Sequence, residues 1–274
     1  MQTLKHKTVF ITGGSRGIGK AIAIRAARDG ANVIIAAKTS KPHPKLPGTI
    51  FSAAEEIEKA GGQALAIKLD VRDDHAITEA VEKAVEKFGG LDILINNASA
   101  ITLQGTLELR MSRFDLMHSV NVRGTYACSK ACIPYLLQAD NPHILNLAPP
   151  LNLNPAWFKS HLAYTMSKYG MSMCVLGMAE EFSDQGIAVN ALWPRTVIAT
   201  AAISMLGDMV NRNNCRNEAI MADAAHAILC RDSKTTTGNF FIDEDVLHQE
   251  GITDFDRYAI SPDEPLMKDL FLDT

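Results

Sequence analysis

The spacing most suggestive of chemistry joins Tyr164 to Lys168 within "YTMSK". Residues four apart share one face of a helix, so the ammonium is expected beside the phenol. A nearby positive charge stabilises the phenolate and lowers the tyrosine pKa from about 10 toward working pH. Tyr164 is then a usable general acid in ketone reduction, or a general base in alcohol oxidation. The alternative is an ordinary helix surface that carries both residues.

A second candidate site is the glycine-rich stretch "TGGSRGIG" (12–19), between an apolar run and an amphipathic pattern. Glycines there allow a sharp turn and let a pyrophosphate approach the helix N-terminus, where free N–H groups favour negative charge. This strand–glycine–helix context favours dinucleotide binding over a merely tight turn. The residues expected at the cofactor are Gly13, Gly14, Ser15, Arg16, Gly17, Ile18 and Gly19.

The end of the second apolar run, "NVIIAAKTS", indicates which dinucleotide is bound. A carboxylate there would bind the ribose 2′-hydroxyl and indicate NAD, but Ala37 fills that position and Lys38 follows. Lys38 and Arg16 therefore favour a 2′-phosphate, hence NADP(H), unless both are solvated surface charges. Asp70, followed by Val71 at the end of the third strand, either accepts from the adenine amine or caps a turn.

These residues need a fold that brings them together, and short apolar runs alternate with longer amphipathic segments along the chain. The runs predict strands over 8–12, 32–37, 64–71, 91–97, 143–147, 187–193 and 238–243. Helices are predicted between them, among them 107–121, 123–138 and about 161–182, with Gly89 as a C-cap. The alternation predicts an α/β, Rossmann-type doubly wound, mostly parallel sheet with helices on both faces. We interpret residues 1–250 as a single NADP-binding domain and residues 251–274 as a C-terminal extension that packs on it or trails from it.

The composition narrows the classes of function. The 274 residues are 47% hydrophobic and 21% charged, which is typical of a soluble protein with a large core. A net charge of −4 and a pI near 6.1 argue against a nucleic-acid partner. No apolar run reaches the ~18–20 residues that span a membrane, and "MQTLKHK" is not a secretory signal, so we expect no membrane insertion. Five cysteines without a CxxC pair favour a reducing, cytoplasmic compartment, with Cys128 and Cys132 in packing and no metal site.

Taken together, the motifs resemble the short-chain dehydrogenase/reductase family. They are the glycine loop, "NNAS" (96–99), "NVRG" (121–124), "YTMSK" (164–168) and "WPR" (193–195), in the family's order. The stretches "AAKTSKPHPKLPGTI", "APPLNLNPAWF" and "FDRYAISP" are similar to those of hydroxysteroid-dehydrogenase-like members. Animal members of that group carry a C-terminal sterol-carrier domain, which we do not expect here because the sequence ends at "LFLDT".

The resemblance implies roles for further residues. It assigns Tyr164 and Lys168 the acid–base roles already described, with Lys168 also reaching the nicotinamide ribose. Asn121 would bond a water in a proton relay to Lys168, unless it serves as a helix kink or cap. Asn97 and Ala98 would line the adenosine side of the cofactor.

The loop after the sixth strand departs from the family, which usually has Pro-Gly where this chain has Pro194-Arg195. The loop still presents Thr196 and Thr200, and its backbone could hold the nicotinamide carboxamide. Arg195 could equally face solvent or an acidic substrate.

The larger departure concerns the family's substrate-orienting serine. Aligned by the fifth strand, that serine falls on Pro149; counted back from Tyr164, it falls on Leu151. Neither side chain donates a hydrogen bond, and losing such a donor commonly costs about 10²–10³ in rate. The candidate substitutes on the same loop are Asn152, Asn154, Ser160 and His161. We favour Asn152, whose amide can donate, although asparagines also satisfy turns and Ser160 is a plausible N-cap for the Tyr164 helix.

The sequence therefore predicts an NADP(H)-dependent oxidoreductase acting on a carbonyl or secondary alcohol. The apolar stretches "LNLNPAWF" and "AAISMLGDM" suggest a hydrophobic, fatty or steroid-like substrate. The alternative is a dinucleotide-binding sensor or scaffold with little turnover, motivated by the absent serine. The resemblance also implies a homo-oligomer, a dimer or tetramer, paired through long helices such as those at 107–138.

Overall fold

A computed structural model describes residues 3–44, 46–204 and 210–273. Within them, seven strands form one sheet in the order β3-β2-β1-β4-β5-β6-β7, and every neighbouring pair is parallel. The strands are β1 Thr8–Thr12, β2 Asn32–Ala37, β3 Gln63–Lys68, β4 Ile93–Asn96, β5 His143–Asn146, β6 Ala188–Trp193 and β7 Phe240–Ile242. The strand order reverses between β1 and β4, which leaves a crevice at the carboxyl ends. The predicted Rossmann-type sheet is confirmed.

The helices cover both faces of this sheet. They are α1 Gly17–Arg28, α2 Ile50–Lys59, α3 Asp74–Phe88, α4 Met111–Met117, α5 Gly124–Leu136, α6 Ala156–Lys159, α7 Leu162–Glu181, α8 Ala201–Ser204, α9 Ala219–Leu229 and α10 Asp243–Gln249. Along β1, Val9 and Ile11 pack in one apolar cluster with α1 and α9, whereas Phe10 packs in the other with α3, α5 and α7. Burial on both faces explains why the strands are continuous apolar runs.

Three differences from the predicted element boundaries bear on the site. The two helices predicted over 107–138 are one helix that begins at Met111, with a π-helical turn over His118–Arg123 joining α4 to α5. Strand β3 ends at Lys68, so Asp70 lies in the following turn. Helix α7 has His161 as its N-cap residue, and Ser160 instead follows α6. The N-cap role suggested for Ser160 is therefore wrong.

Other local expectations are confirmed. Gly89 ends α3 in the left-handed conformation with φ 82°, which glycine adopts without a steric penalty. Cys128 and Cys132 are buried in the core, and burial raises the pKa of both thiols. None of the described helices is long and apolar enough to cross a membrane. Of the apolar stretch 201–209 that suggested a hydrophobic substrate, residues 205–209 lie outside the described part.

Candidate functional site

The glycine loop brings the end of β1 against the turn after β4. Gly13 has φ 69°, and a Cβ there would lie 2.9 Å from the Ala98 Cα. A Cβ on Gly19 would lie 2.4 Å from Asn97 Nδ2. Only glycine fits positions where backbone and side chain approach so closely. Helix α1 begins directly after this loop with no side-chain cap, so its first N–H groups face the crevice unpaired by a capping side chain.

Asn97 and Ala98 are held in place by β1. The Asn97 amide donates to the carbonyls of Thr12 and Gly13, each at 3.0 Å. The backbone N–H groups of Asn97 and Ala98 both donate to the Thr12 hydroxyl at 3.1 Å. Asn97 therefore links the turn after β4 to the end of β1 by hydrogen bonds. The structure brings these two residues together with the glycine loop, and the role at the adenosine side of the cofactor that the resemblance implied stays a prediction.

Arg16 does not extend freely into solvent. Its Nε donates to the Pro47 carbonyl at 2.8 Å, and Nη2 donates to the Gly48 carbonyl at 3.0 Å. A Cβ on Gly48 would lie 2.5 Å from the Ser15 carbonyl oxygen. The proline-rich loop over 38–50 thus packs directly on the glycine loop, and Arg16 joins the two.

The end of the crevice beside β2 and β3 carries a cluster of charges. Asp70 accepts from Arg72 at 2.5 Å and pairs with Lys38 at 3.4 Å. The Arg72 hydrogen bond is the main cause that lowers the pKa of Asp70 to about 2. Arg72 N also donates to Asp70 Oδ1, which supports the turn-capping alternative for that residue. Val71 is buried, where it limits the space at Gly124 on α5. Sequence reasoning missed Arg72, although it lies two residues beyond Asp70.

Tyr164 and Lys168 lie together on the buried face of α7. Lys168 Nζ donates to the Leu147 carbonyl at 2.5 Å and lies 5.0 Å from the centre of the Trp193 ring. Burial lowers the pKa of Lys168 to about 7. Burial also raises the pKa of Tyr164, and the negative charge of Asp269 adds to this effect.

The direction of the Tyr164 shift corrects the sequence prediction. We expected the Lys168 ammonium to lower the pKa of Tyr164, but desolvation dominates and raises it. Burial also disfavours the charged form of Lys168, and its Nζ donates a hydrogen bond to the Leu147 carbonyl. The phenol therefore keeps its proton at neutral pH.

Asn121 lies in the π-helical turn, a feature that is frequent at functional sites. Its Oδ1 accepts from Ala100 N at 2.7 Å, and its Nδ2 donates to the Ala100 carbonyl and to the Ser167 hydroxyl on α7. The side chain is fully buried. It thus fixes the loop after β4 to the helix that carries Tyr164, and the implied water relay stays a prediction.

The proline loop after β5 is attached to α7. Pro149 accepts a hydrogen bond at its carbonyl from the Ser172 hydroxyl at 2.7 Å. The Tyr169 hydroxyl donates to the Asn152 carbonyl at 2.5 Å and accepts from the Asn152 N–H at 3.2 Å. Asn152 Oδ1 accepts from Asn154 N, while its amide makes one long contact of 3.5 Å with the Phe271 carbonyl. These contacts support the turn role of Asn152 and leave its amide with one long hydrogen bond.

The other candidate substitutes are either exposed, as Asn154 and Ser160 are, or bonded within the protein, as His161 is. Asn154 Oδ1 accepts from Ala156 N at the start of α6, and Ser160 is exposed. The Thr165 hydroxyl donates to the Trp157 carbonyl at 2.6 Å, so it accepts from His161 Nδ1 at 2.9 Å. Burial lowers the pKa of His161. A neutral His161 with its proton on Nδ1 has only an acceptor at Nε2, so it cannot replace the serine donor.

The loop after β6 is anchored by α10. Arg195 forms ion pairs with Glu244 at 3.1 Å and Asp245 at 2.5 Å, so it faces the protein's own carboxylates. Its backbone N–H donates to Asp243 at 2.9 Å. The Thr196 hydroxyl is buried, and no hydrogen-bond partner for it is found in the described part of the chain. Pro194 directly precedes Arg195 and Thr196. A Cβ on Gly17 would lie 3.4 Å from the Thr200 Cγ2, so the loop after β6 reaches the glycine loop.

The sequence prediction missed a contribution from residues 267–273, which we call the closing segment. Asp269 acts electrostatically on both Tyr164 and Lys168, and desolvation raises the pKa of Asp269 to about 7. Phe271 packs 6.2 Å from the Tyr164 ring and 5.8 Å from the Trp193 ring, between ring centres. No local motif marks these residues, because their position depends on contacts with β6 and α7 far away in sequence.

Comparisons with known proteins agree with this geometry. The short chain dehydrogenase family model matches residues 7–209. Hydroxysteroid dehydrogenase-like protein 2 of Danio rerio is 65% identical over 266 residues, covering 97% of this chain and 64% of its own. The chain therefore spans less than two thirds of that relative. A candidate dehydrogenase from Xanthomonas campestris is 59% identical with a TM-score of 0.97, covering 99% of this chain and 100% of its own. A short chain dehydrogenase from Mycobacterium paratuberculosis bound to NAD shares the fold at 22% identity, with a TM-score of 0.73 and coverage of 88% and 97%.

Proposed function

Because the chain belongs to the short-chain dehydrogenase family, we propose that it is an NADP(H)-dependent oxidoreductase acting on a carbonyl or secondary alcohol. The family uses nicotinamide dinucleotide cofactors, as the NAD-bound relative illustrates. The observation that carries the proposal is the buried Tyr164–Lys168 pair on α7, in a fold whose first strand ends in a tightly packed glycine loop. A hydrophobic substrate is supported by the apolar side chains that pack around Tyr164, among them Leu151 and Trp157.

The crevice fits a dinucleotide. The pyrophosphate would lie at the N-terminus of α1, where no side chain caps the first N–H groups. The buried Thr196 hydroxyl, which has no hydrogen-bond partner among the described residues, suits a carboxamide of the nicotinamide end. We propose the 2′-phosphate of NADP(H) at Arg16 and Lys38, and Arg72 adds a third cation there. Ala37, at the end of β2, leaves this position without a carboxylate for a ribose hydroxyl.

We propose Tyr164 as the general acid that donates its proton to the carbonyl oxygen. When bound, NADPH supplies the hydride. The pKa of Tyr164 is raised, so the phenol carries the proton before reaction. Lys168, with a pKa of about 7, can return a proton to Tyr164 after the step. Asn121 fixes the helix that carries both, and Asn152 is the proposed second donor to the carbonyl oxygen.

The test is NADPH oxidation with a panel of ketones and aldehydes, in wild type and Tyr164→Phe. We expect Tyr164→Phe to lose about 10²-fold or more in kcat, the usual contribution of a general acid, while NADPH affinity is kept. Tyr126→Phe, on the exposed face of α5, is the matched control and should be unchanged. If wild type and Tyr164→Phe both bind NADPH and neither oxidises it with any carbonyl, the proposal is wrong.

The second candidate is a dinucleotide-binding sensor or scaffold with little turnover. The specific observation that favours it is the pair Pro149 and Leu151, which stand where the family has its serine and offer no donor. The same assay separates the candidates, since a sensor binds NADPH with high affinity but turns over no carbonyl in the panel.

We also propose a homo-oligomer, a dimer or tetramer. Helix α7 exposes an apolar stripe formed by Leu162, Met166, Met173 and Leu176. Contiguous exposed apolar surface of this kind marks interaction sites. Sedimentation velocity should give a species larger than 29.8 kDa for wild type, and Met173→Lys should shift it toward the monomer. A wild-type monomer at micromolar concentration would refute this proposal.

The remaining expectations concern organisation and location. All five cysteines are free thiols, which supports a reducing compartment, and we propose a cytoplasmic location. We propose residues 1–250 as the oxidoreductase domain and 251–274 as an extension packed on it. Limited proteolysis should leave residues 251–273 protected if they pack as proposed, whereas rapid removal of this stretch would show that it trails.

A further inference from the structure

The closing segment is fixed to the site at several points. Val197 N donates to the Met267 carbonyl at 2.9 Å, and Asp269 N donates to the Arg195 carbonyl at 3.1 Å, so the segment runs along the loop after β6. The Trp193 indole then donates to the Leu270 carbonyl at 2.9 Å. The segment therefore leads directly from the loop after β6 to the ring of Phe271.

Phe271 is the centre of an aromatic cluster. Its side chain is 1% exposed, and its ring centre lies between 5.3 and 6.2 Å from five other rings. Those rings belong to Trp157, His161, Tyr164, Tyr169 and Trp193. Two of these rings belong to the proposed reaction site. Tyr164 carries the reacting hydroxyl, and the Lys168 ammonium lies over the Trp193 ring.

The backbone of Phe271 is strained. Its φ of 72° lies in the left-handed region, which is a genuine outlier for a bulky residue. Such conformations persist where the surrounding contacts fix them, and they concentrate at functional sites. The strain directs the Phe271 ring inward toward Tyr164, rather than leaving it at the surface of the segment.

The surroundings of Tyr164 are apolar. Half-buried apolar side chains reach the cluster from the loop after β4, the proline loop and the closing segment; they include Ile101, Leu151 and Leu272. An apolar lining with few polar groups is typical of a small-molecule site. Phe271 is the fully buried member that the closing segment contributes to this lining.

We propose that Phe271 is a specificity-determining residue, which limits the size of the apolar group that can lie beside Tyr164 next to the reacting carbonyl. This inference rests on the proposed oxidoreductase function. The competing interpretation is that Phe271 only anchors the closing segment. An anchor affects all substrates alike, whereas a size limit changes their ratio.

The test uses methyl ketones with the same reacting group and a growing apolar body: 2-butanone, cyclohexyl methyl ketone and 1-adamantyl methyl ketone. Phe271→Ala should raise the ratio of kcat/KM for the adamantyl ketone over 2-butanone at least about tenfold, as apolar pocket changes commonly do. Phe271→Leu should give a smaller change in the same direction. Phe255→Ala removes a half-buried ring that packs on His248 and Tyr258, and should leave the ratio unchanged. A parallel loss for all ketones, or an unchanged ratio, would overturn the inference.

A binding measurement separates this inference from the proposed function. The chain has two tryptophans, Trp157 and Trp193, and both pack against Phe271. Tryptophan fluorescence therefore reports ketone binding at the site without turnover, in protein saturated with NADP⁺. If no ketone is reduced, the proposed function fails. The Phe271 inference is then upheld if the ratio of the Kd of the adamantyl ketone to the Kd of 2-butanone shifts tenfold between wild type and Phe271→Ala. An unchanged ratio, or no ketone binding to either protein, overturns it.

Discussion

Gly19→Ala is the sharpest perturbation of the cofactor crevice. Gly19 lies in α1, and a Cβ there would stand 2.4 Å from Asn97 Nδ2, closer than such atoms approach in proteins. Because the clash is with a side-chain amide, Asn97 must move. It would then lose its donations to the carbonyls of Thr12 and Gly13, each now at 3.0 Å. The substitution thus tests whether Asn97 braces the crevice.

Two competing contributions set the change in the free energy of unfolding. Each lost hydrogen bond contributes about 1 kcal/mol net, so the loss costs about 2 kcal/mol. Alanine is favoured over glycine inside a helix by up to about 1 kcal/mol. We therefore expect a net destabilisation of about 1 kcal/mol. NADPH affinity gains nothing from helix propensity, and the displaced amide intrudes at the adenosine side, so Kd should rise at least about tenfold, or 1.4 kcal/mol.

Urea unfolding and NADPH titration measure the two effects. Gly90→Ala is the matched control, because a Cβ at Gly90 meets no atom within 4 Å; both quantities should stay within experimental error of wild type. Asn97→Ala should reproduce most of the destabilisation, and adding Gly19→Ala to it should then cost little, since the clashing amide is gone. The reasoning is refuted if folded Gly19→Ala binds NADPH within twofold of wild type, or if its destabilisation is undiminished in the Asn97→Ala background.

Three further predictions address the proposed roles of single residues. We expect NADPH to bind at least ten times more tightly than NADH. Titration should show this preference reduced or reversed in Lys38→Asp but kept in the control Lys41→Asp. Equal affinities of the wild type for NADPH and NADH would contradict the prediction. Asn152→Ala should lower kcat about 10²-fold in steady-state kinetics if its amide replaces the serine, whereas a change below threefold would leave it a turn residue. Asp269→Asn removes a negative charge that raises the pKa of Tyr164. Alcohol oxidation needs the phenolate, so its pH profile should move to lower pH in this variant. An unmoved or higher midpoint would count against this electrostatic role.

The parts of the molecule that follow from local pattern were predictable. The strands are continuous apolar runs because both faces of a parallel sheet are buried, and their order of appearance is that of a doubly wound fold. The glycine loop was recognisable from its place between β1 and α1. The end of β3 and the π-helical turn at Asn121 could not be predicted from the sequence. Both depend on how the crevice packs rather than on local propensity.

The protonation state of the site shows most clearly what local sequence cannot supply. Spacing placed Lys168 and Tyr164 on one helix, and a charge argument in water then predicted a lowered phenol pKa. The opposite direction arises from residues distant in sequence: the closing segment buries Tyr164 under Phe271 and brings the negative charge of Asp269 toward it. The same burial weakens the ammonium of Lys168, which removes the stabilisation that the sequence argument relied on. The contacts that sequence reasoning missed are therefore those that keep the Tyr164 phenol protonated at neutral pH.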